Sequence, residues 1–170
     1  MSDGILERLY RRVMMATGLA RVTTGRDDGA TQVLQLDFGA RDVQDNRYRL
    51  AEYGFTSMPL PGADAAVVFL GGDRSAGVVI ATGDRRYRLR GLAPGEVALY
   101  DDLGHVVRLG RGGIAINGGG HNLTITNAPK VTVNGDIEVT GDVRAGTVSL
   151  RHHKHGLVTP GTGQSGEPVP

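Results

Sequence analysis

Residues 122–145 read NLTITNAPKVTVNGDIEVTGDVRA, and the fold turns on this stretch. Leu123/Ile125, Val131/Val133, Ile137/Val139 and Val143/Ala145 are apolar pairs at i and i+2, separated by Thr, Glu or Arg and interrupted by Asn-Gly and Gly-Asp turns. A period of two places both members of a pair on one face of a strand, so each short strand buries one face only. The strands are about three to five residues long and carry no aromatic side chain, so one chain cannot bury enough apolar area here to offset the entropy of ordering it. A repeat that cannot close its own apolar face stacks on neighbouring repeats or on identical chains. The narrow Val/Ile seam therefore predicts a homotrimeric, intertwined β-helix, since a single-chain solenoid needs more and longer rungs.

The rest of the chain is read outward from that segment. The 170 residues are 39% hydrophobic but only 5% aromatic, with no Trp and 27 Gly, a composition suited to short strands and turns. Upstream, Leu19–Val22, Gln32–Leu36, Ala66–Leu70, Gly77–Ile80 and Tyr87–Leu89 are β-prone runs. Turn clusters at 25–29, 59–62 and 71–73 separate them, which predicts an OB-like barrel of five or six strands over residues 18–92. Before the barrel, Ile5, Leu6, Leu9, Val13 and Met14 recur at helical spacing, with Ser2 and Asp3 as N-caps and Gly18 as a stop, so residues 1–17 are assigned a short amphipathic helix. Arg8, Arg11 and Arg12 form its solvated face. The shaft follows over 93–150, after Pro94-Gly95. From 151 to 170 the chain becomes a His-rich run, Arg151-His152-His153-Lys154-His155, and then a Gly/Pro-rich tail. The predicted fold is thus mainly β.

Charge and motif content narrow the function. Lys and Arg number 19 against 18 Asp and Glu, so the net charge of +1 offers no surplus for a phosphate backbone, and nucleic acid is not an expected partner. The competing reading is an OB-fold nucleic-acid-binding protein with a His-rich tail, for which Arg85, Arg86, Arg88 and Arg90 supply the basic cluster. A solvated strand edge explains that cluster equally well. The absence of Cys removes disulfides and thiolate sites. No apolar run approaches a membrane span, and the N-terminus lacks the layout of a signal peptide, so synthesis in the cytoplasm is expected. Gly118-Gly119-Gly120 lacks the Lys and helix of a phosphate loop and reads as a turn. A catalytic metal site at the His run would require an open ligand position and a nearby carboxylate, but Asp142 and Glu167 do not stand at ligand spacing, so no enzyme is expected.

The order of helix, small barrel, thin repetitive β-segment, His-rich end and Gly/Pro tail resembles the baseplate assembly or central spike proteins of Mu-like contractile-tailed phages. Four blocks carry the resemblance: Tyr53-Gly54-Phe55-Thr56-Ser57-Met58-Pro59-Leu60-Pro61-Gly62, Gly71-Gly72-Asp73-Arg74-Ser75, Asp84-Arg85-Arg86-Tyr87-Arg88 and Gly95-Glu96-Val97-Ala98-Leu99-Tyr100-Asp101. The His-x-His and Val-x-Pro-Gly ending extends it to the C-terminal region. The resemblance implies a non-enzymatic homotrimeric spike at the virion tail baseplate tip, seated on hub and tube proteins and driven through the host outer membrane. It further implies that His153 and His155 of three chains hold one iron ion per trimer, with calcium or chloride as further guests on the axis. His152 stands where the family often carries Thr or Ser, which leaves open which two of the three His are the ligands. If His153 and His155 ligate from strands, their rings point inward at two levels and His152 points outward.

Overall fold

The computed structural model describes residues 3–155 and 161, so the expected cap at Ser2 and the Gly/Pro tail, apart from Gly161, lie outside the described residues. The chain forms two compact units, residues 1–123 and 124–170. In the first, helix α1 (Asp3–Met14) leads into strands β1 (Thr17–Arg26), β2 (Gln32–Asp37), β3 (Val43–Arg49), β4 (Asp64–Phe69) and β5 (Gly77–Gly83). These strands close as a barrel in the order β1-β2-β3-β5-β4, with β3 and β5 parallel and the other pairs antiparallel. Five strands is the count of the expected OB-like barrel.

Alternation drives the closure. Ala20 and Val22, Leu34 and Leu36, Ala65, Val67 and Phe69, and Val79 point inward and are buried, while their neighbours along each strand stay outside. Register shifts at Val22/Thr24, Leu34/Leu36 and Ala66/Val67 add the local bends that a small barrel needs. Leu36 is fully buried, so Leu36→Ala should cost about 2–5 kcal/mol, to be read in urea or thermal unfolding. One buried polar side chain is satisfied within the barrel: Gln32 Nε2 donates to Ser57 O at 3.1 Å, and Gln32 Oε1 accepts from Arg49 at 2.8 Å.

Two expectations change. Tyr87–Leu89 is not a strand, because Asp84 O accepts the N–H groups of Tyr87 and Arg88 and the Asp84 carboxylate accepts that of Arg86, which makes a turn. Conversely, the polar run Val43–Arg49 is a strand. A short helix is found, but it ends at Met14 and the expected stop, Gly18, lies within β1, and Ile5, Leu6, Leu9, Val13 and Met14 are all exposed in the single chain. Its C-terminal turn lies on Leu70–Gly72, where a Cβ at Gly72 would come within 2.3 Å of Arg12 O, and where φ is +73°. Only glycine fits there without displacing the helix.

Beyond Pro94, β6 (Val97–Tyr100), β7 (Val106–Gly110) and β8 (Gly113–Asn117) form an antiparallel three-stranded sheet in the first unit. Glu96 ties the connector to this sheet. Its carboxylate accepts from Arg108 at 2.5 Å, from the Ala93 N–H at 3.0 Å and from the Arg111 N–H at 3.1 Å, and its side chain is only 6% exposed. These bonds, the Arg108 one foremost, hold its pKa down at about 2 from an ordinary 4.5. A depressed carboxyl pKa stabilises the fold fully above pH 4.5 and loses that contribution as pH falls towards 2. Glu96→Gln should therefore unfold at lower temperature than wild type at pH 7, with the gap closing by about pH 2. A gap that does not vary with pH would assign the effect to shape and not to charge.

The second unit differs from the expected short strands. Among the described residues none of 118–143 forms a strand, and strand pairing resumes only in a small hairpin of β9 (Arg144–Ala145) and β10 (Val148–Ser149). Along the intervening segment Leu123, Ile125, Val131, Val133, Ile137, Val139 and Val143 are exposed, from 45% at Val143 to 69% at Ile137. An apolar row of this length without cover is the physical signature of a surface meant for burial.

Candidate functional site

The His run follows the β9–β10 hairpin, and Asp142 organises the approach to it. Its carboxylate accepts from Ser149 Oγ at 2.9 Å, from the Arg151 N–H at 3.1 Å and from Arg144 Nε at 3.1 Å. The Ser149 and Arg151 bonds hold the Asp142 pKa below the usual carboxylate value. Gly146, at φ +60°, makes the hairpin turn. The chain then winds back, with the Leu150 N–H donating to Val143 O at 2.8 Å and the His153 N–H to Ser149 O at 2.9 Å. The His152 N–H donates to Ser149 Oγ at 2.9 Å.

Residues 151–155 are accordingly a turn followed by irregular chain, not a strand. The alternation used to aim His153 and His155 inward is absent, because Ser149 draws the backbone into a helix-like turn. The two rings nevertheless meet, with centroids 5.0 Å apart and planes at 72°. His153 Nδ1 lies 2.9 Å from Leu150 O and 3.1 Å from Ser149 O. Two carbonyl acceptors assign the proton to Nδ1, which leaves the Nε2 lone pair outward, the state in which a histidine ligates a metal. Among the described residues no group of three or more His, Cys, Asp or Glu gathers in one chain, so the pair could supply two imidazole donors and no complete ligand set. Asp142 and Ser149 stand behind the pair through a link seven residues apart across a hairpin, which no local spacing announces.

The basic cluster is dispersed. Arg85 grips Asp64 through bonds of 2.6 and 3.0 Å, and Arg86 grips Asp84 at 2.6 Å and Pro61 O at 2.8 Å. Hydrogen bonds from Arg85 and Arg86 hold the carboxyls of Asp64 and Asp84 below their ordinary values. Two of the four guanidiniums are therefore neutralised in place and fasten the barrel edge. No helix among the described residues is long and apolar enough to cross a membrane.

Comparison with known proteins places these features. The family described as Bacteriophage Mu Gp45, N-terminal, matches residues 20–86, which span the barrel. The baseplate puncturing device gp45 of Escherichia phage Mu is 33% identical over 142 residues, covering 79% of this chain and 72% of its own. The Mu-like prophage FluMu protein gp45 of Haemophilus influenzae is 29% identical over 184 residues, covering 98% and 97%.

Proposed function

The chain belongs to the phage Mu gp45 family of baseplate puncturing proteins, and we propose that it is the central spike of a contractile tail, a structural part that pierces the host outer membrane and catalyses nothing. The observation that carries the finer reading is the uncovered apolar row from Leu123 to Val143, joined to a backbone that finds no ladder of its own. Three copies wound around one axis would supply both the missing ladders and the missing core. Residues 93–150 then make the shaft, with the β6–β8 sheet at its start. Chains so entwined separate only by breaking most ladders together, which makes unfolding under axial load slow.

The barrel, residues 18–92, is the socket for hub and tube proteins, and the uncovered apolar face of α1 supplies area for that attachment. In the second unit His153 and His155 of each copy would together hold one iron ion, which would supply a cross-link between chains. Within each chain, the Ser149 and Leu150 carbonyls orient His153, and Asp142 holds the turn that carries them. Tails assembled without this chain should lack the spike and fail to deliver DNA. Tails that puncture cells normally in its absence would overturn the assignment.

A further inference from the structure

Two other histidines meet in the first unit, at one end of the three-stranded sheet. Strand β6 ends at Tyr100, β7 begins at Val106 and β8 ends at Asn117, and these residues are paired in register, so the turns 101–105 and 118–121 leave the sheet side by side. Each turn is internally held. Asp101 Oδ1 accepts the N–H groups of Leu103 at 2.9 Å and His105 at 3.0 Å. Asn117 Oδ1 accepts the Gly119 N–H at 2.9 Å, and the His121 N–H donates to Gly118 O at 2.8 Å. The turns also touch through backbone: Gly119 has φ +58°, and a Cβ there would lie within 2.9–3.0 Å of Gly104 C, Gly104 O and Leu103 O. Glycine is required at 119 for both reasons, and the contact fixes one turn against the other.

The result is a pair of imidazoles, His105 and His121, with ring centroids 5.0 Å apart and planes at 58°. His105 Nδ1 lies 2.5 Å from Asp101 Oδ2 and donates its proton there, which leaves Nε2 as a free lone pair. A carboxylate behind a histidine is the support that metal-binding imidazoles characteristically have. The spacing agrees: with metal–nitrogen bonds of about 2.0–2.1 Å and a near-tetrahedral angle, two imidazoles on one ion have centroids about 5 Å apart. In the single chain the His105 side chain is 40% exposed, which leaves room there for an ion and its water ligands.

We propose that His105 and His121 form a second metal site in each chain, taking a borderline divalent ion of the zinc or nickel class through His105 Nε2 and one ring nitrogen of His121. Asp101 positions His105, and water completes the shell. Such an ion clips the two turns together where the sheet ends, within a single chain, so the site does not depend on trimer formation.

The test uses the full chain carrying His153→Ala and His155→Ala, which removes the apical histidines, with wild type in parallel. Calorimetric titration with Ni²⁺ should show one saturable ion per chain. Adding His121→Gln should weaken binding at least about tenfold, and Asp101→Asn, which keeps the turn's oxygen acceptor, should weaken it by about 10–100-fold. With Cu²⁺, electron paramagnetic resonance should report two coupled nitrogens, falling to one in His121→Gln. Circular dichroism should be the same for all variants, and His121, in an exposed turn, can be replaced without touching the core. The absence of saturable Ni²⁺ binding would reduce the pair to a stacked contact. Unchanged binding in both His121→Gln and Asp101→Asn would place the ion elsewhere and overturn the site.

Discussion

Val133→Asp and Ile137→Asp are each expected to leave a chain that sediments as a monomer at micromolar concentration, where the wild-type chain is expected to sediment as a trimer. Both side chains lie in the uncovered apolar row, with 53% and 69% of their surface open in the single chain. In a three-fold shaft each substitution enters the seam three times over. A carboxylate removed from water without a partner costs several kcal/mol, and three brought near one axis also repel. Such a shaft would have no second core to absorb that loss, because each chain would contribute only a narrow Val/Ile face. The barrel is a separate matter: its core, from Ala20 to Val79, is complete within one chain, so the variants should keep a folded barrel by circular dichroism and lose only association. A wild-type chain that is itself monomeric under these conditions would refute the three-fold shaft.

The barrel was largely legible in the sequence, whereas the short strands expected over 123–143 are not found in the chain. The runs at 19–22, 32–36, 66–70 and 77–80 carry enough Val, Leu and Ile in alternation to be read as strands, and all four fall within strands except for the last residue of the third. Strand β3 was not legible, since Gln44-Asp45-Asn46-Arg47 carries no strand preference. It is held by its neighbours, antiparallel to β2 and parallel to β5, and closure of the barrel demands a strand there whatever the propensity. Tyr87–Leu89 misled for the opposite reason. Its alternation is real, but Asp84 offers the backbone a nearer partner than any sheet edge. Along residues 123–143 the apolar pairs disclose which side chains lack cover, while no strand ladder forms among those residues within the chain, so the expected short strands are not seen there.

The candidate site divides along the same line. The sequence alone marks a cluster of imidazoles at 152–155, and it is the resemblance to Mu-like spikes that singles out His153 and His155. The support behind them has no such mark. Asp142 reaches Ser149 and Arg151 only because the β9–β10 hairpin folds them together, and the ring pairing arises from a turn where alternation suggested a strand. The His105–His121 pair is harder still, since its members stand sixteen positions apart with two whole strands, β7 and β8, between them. Only the register of β7 with β6 and β8 brings the two turns together.

Elemental analysis of the wild-type protein is expected to find one iron ion per trimer, absent when His153 and His155 are both replaced by Ala and retained in His152→Ala. The expectation rests on donors. His153 directs its Nδ1 proton to Leu150 O and Ser149 O, leaving Nε2 for a metal, and the His155 ring lies beside it at 5.0 Å. His152 enters the local structure through its backbone N–H, which donates to Ser149 Oγ, and an alanine preserves that bond. Two imidazoles from each of three chains make six nitrogen donors. That number suits iron(II) or nickel, whereas zinc favours four, and cellular supply together with family membership favours iron. An ion bound only by the assembled trimer stabilises it by mass action, so treatment with a chelator should lower the temperature at which the chains separate. The double alanine variant should start from that lower temperature and show no further response to chelator. Equal iron content in wild type and in the double variant would sink the assignment, because no arrangement of His153 and His155 as ligands could then be holding the ion.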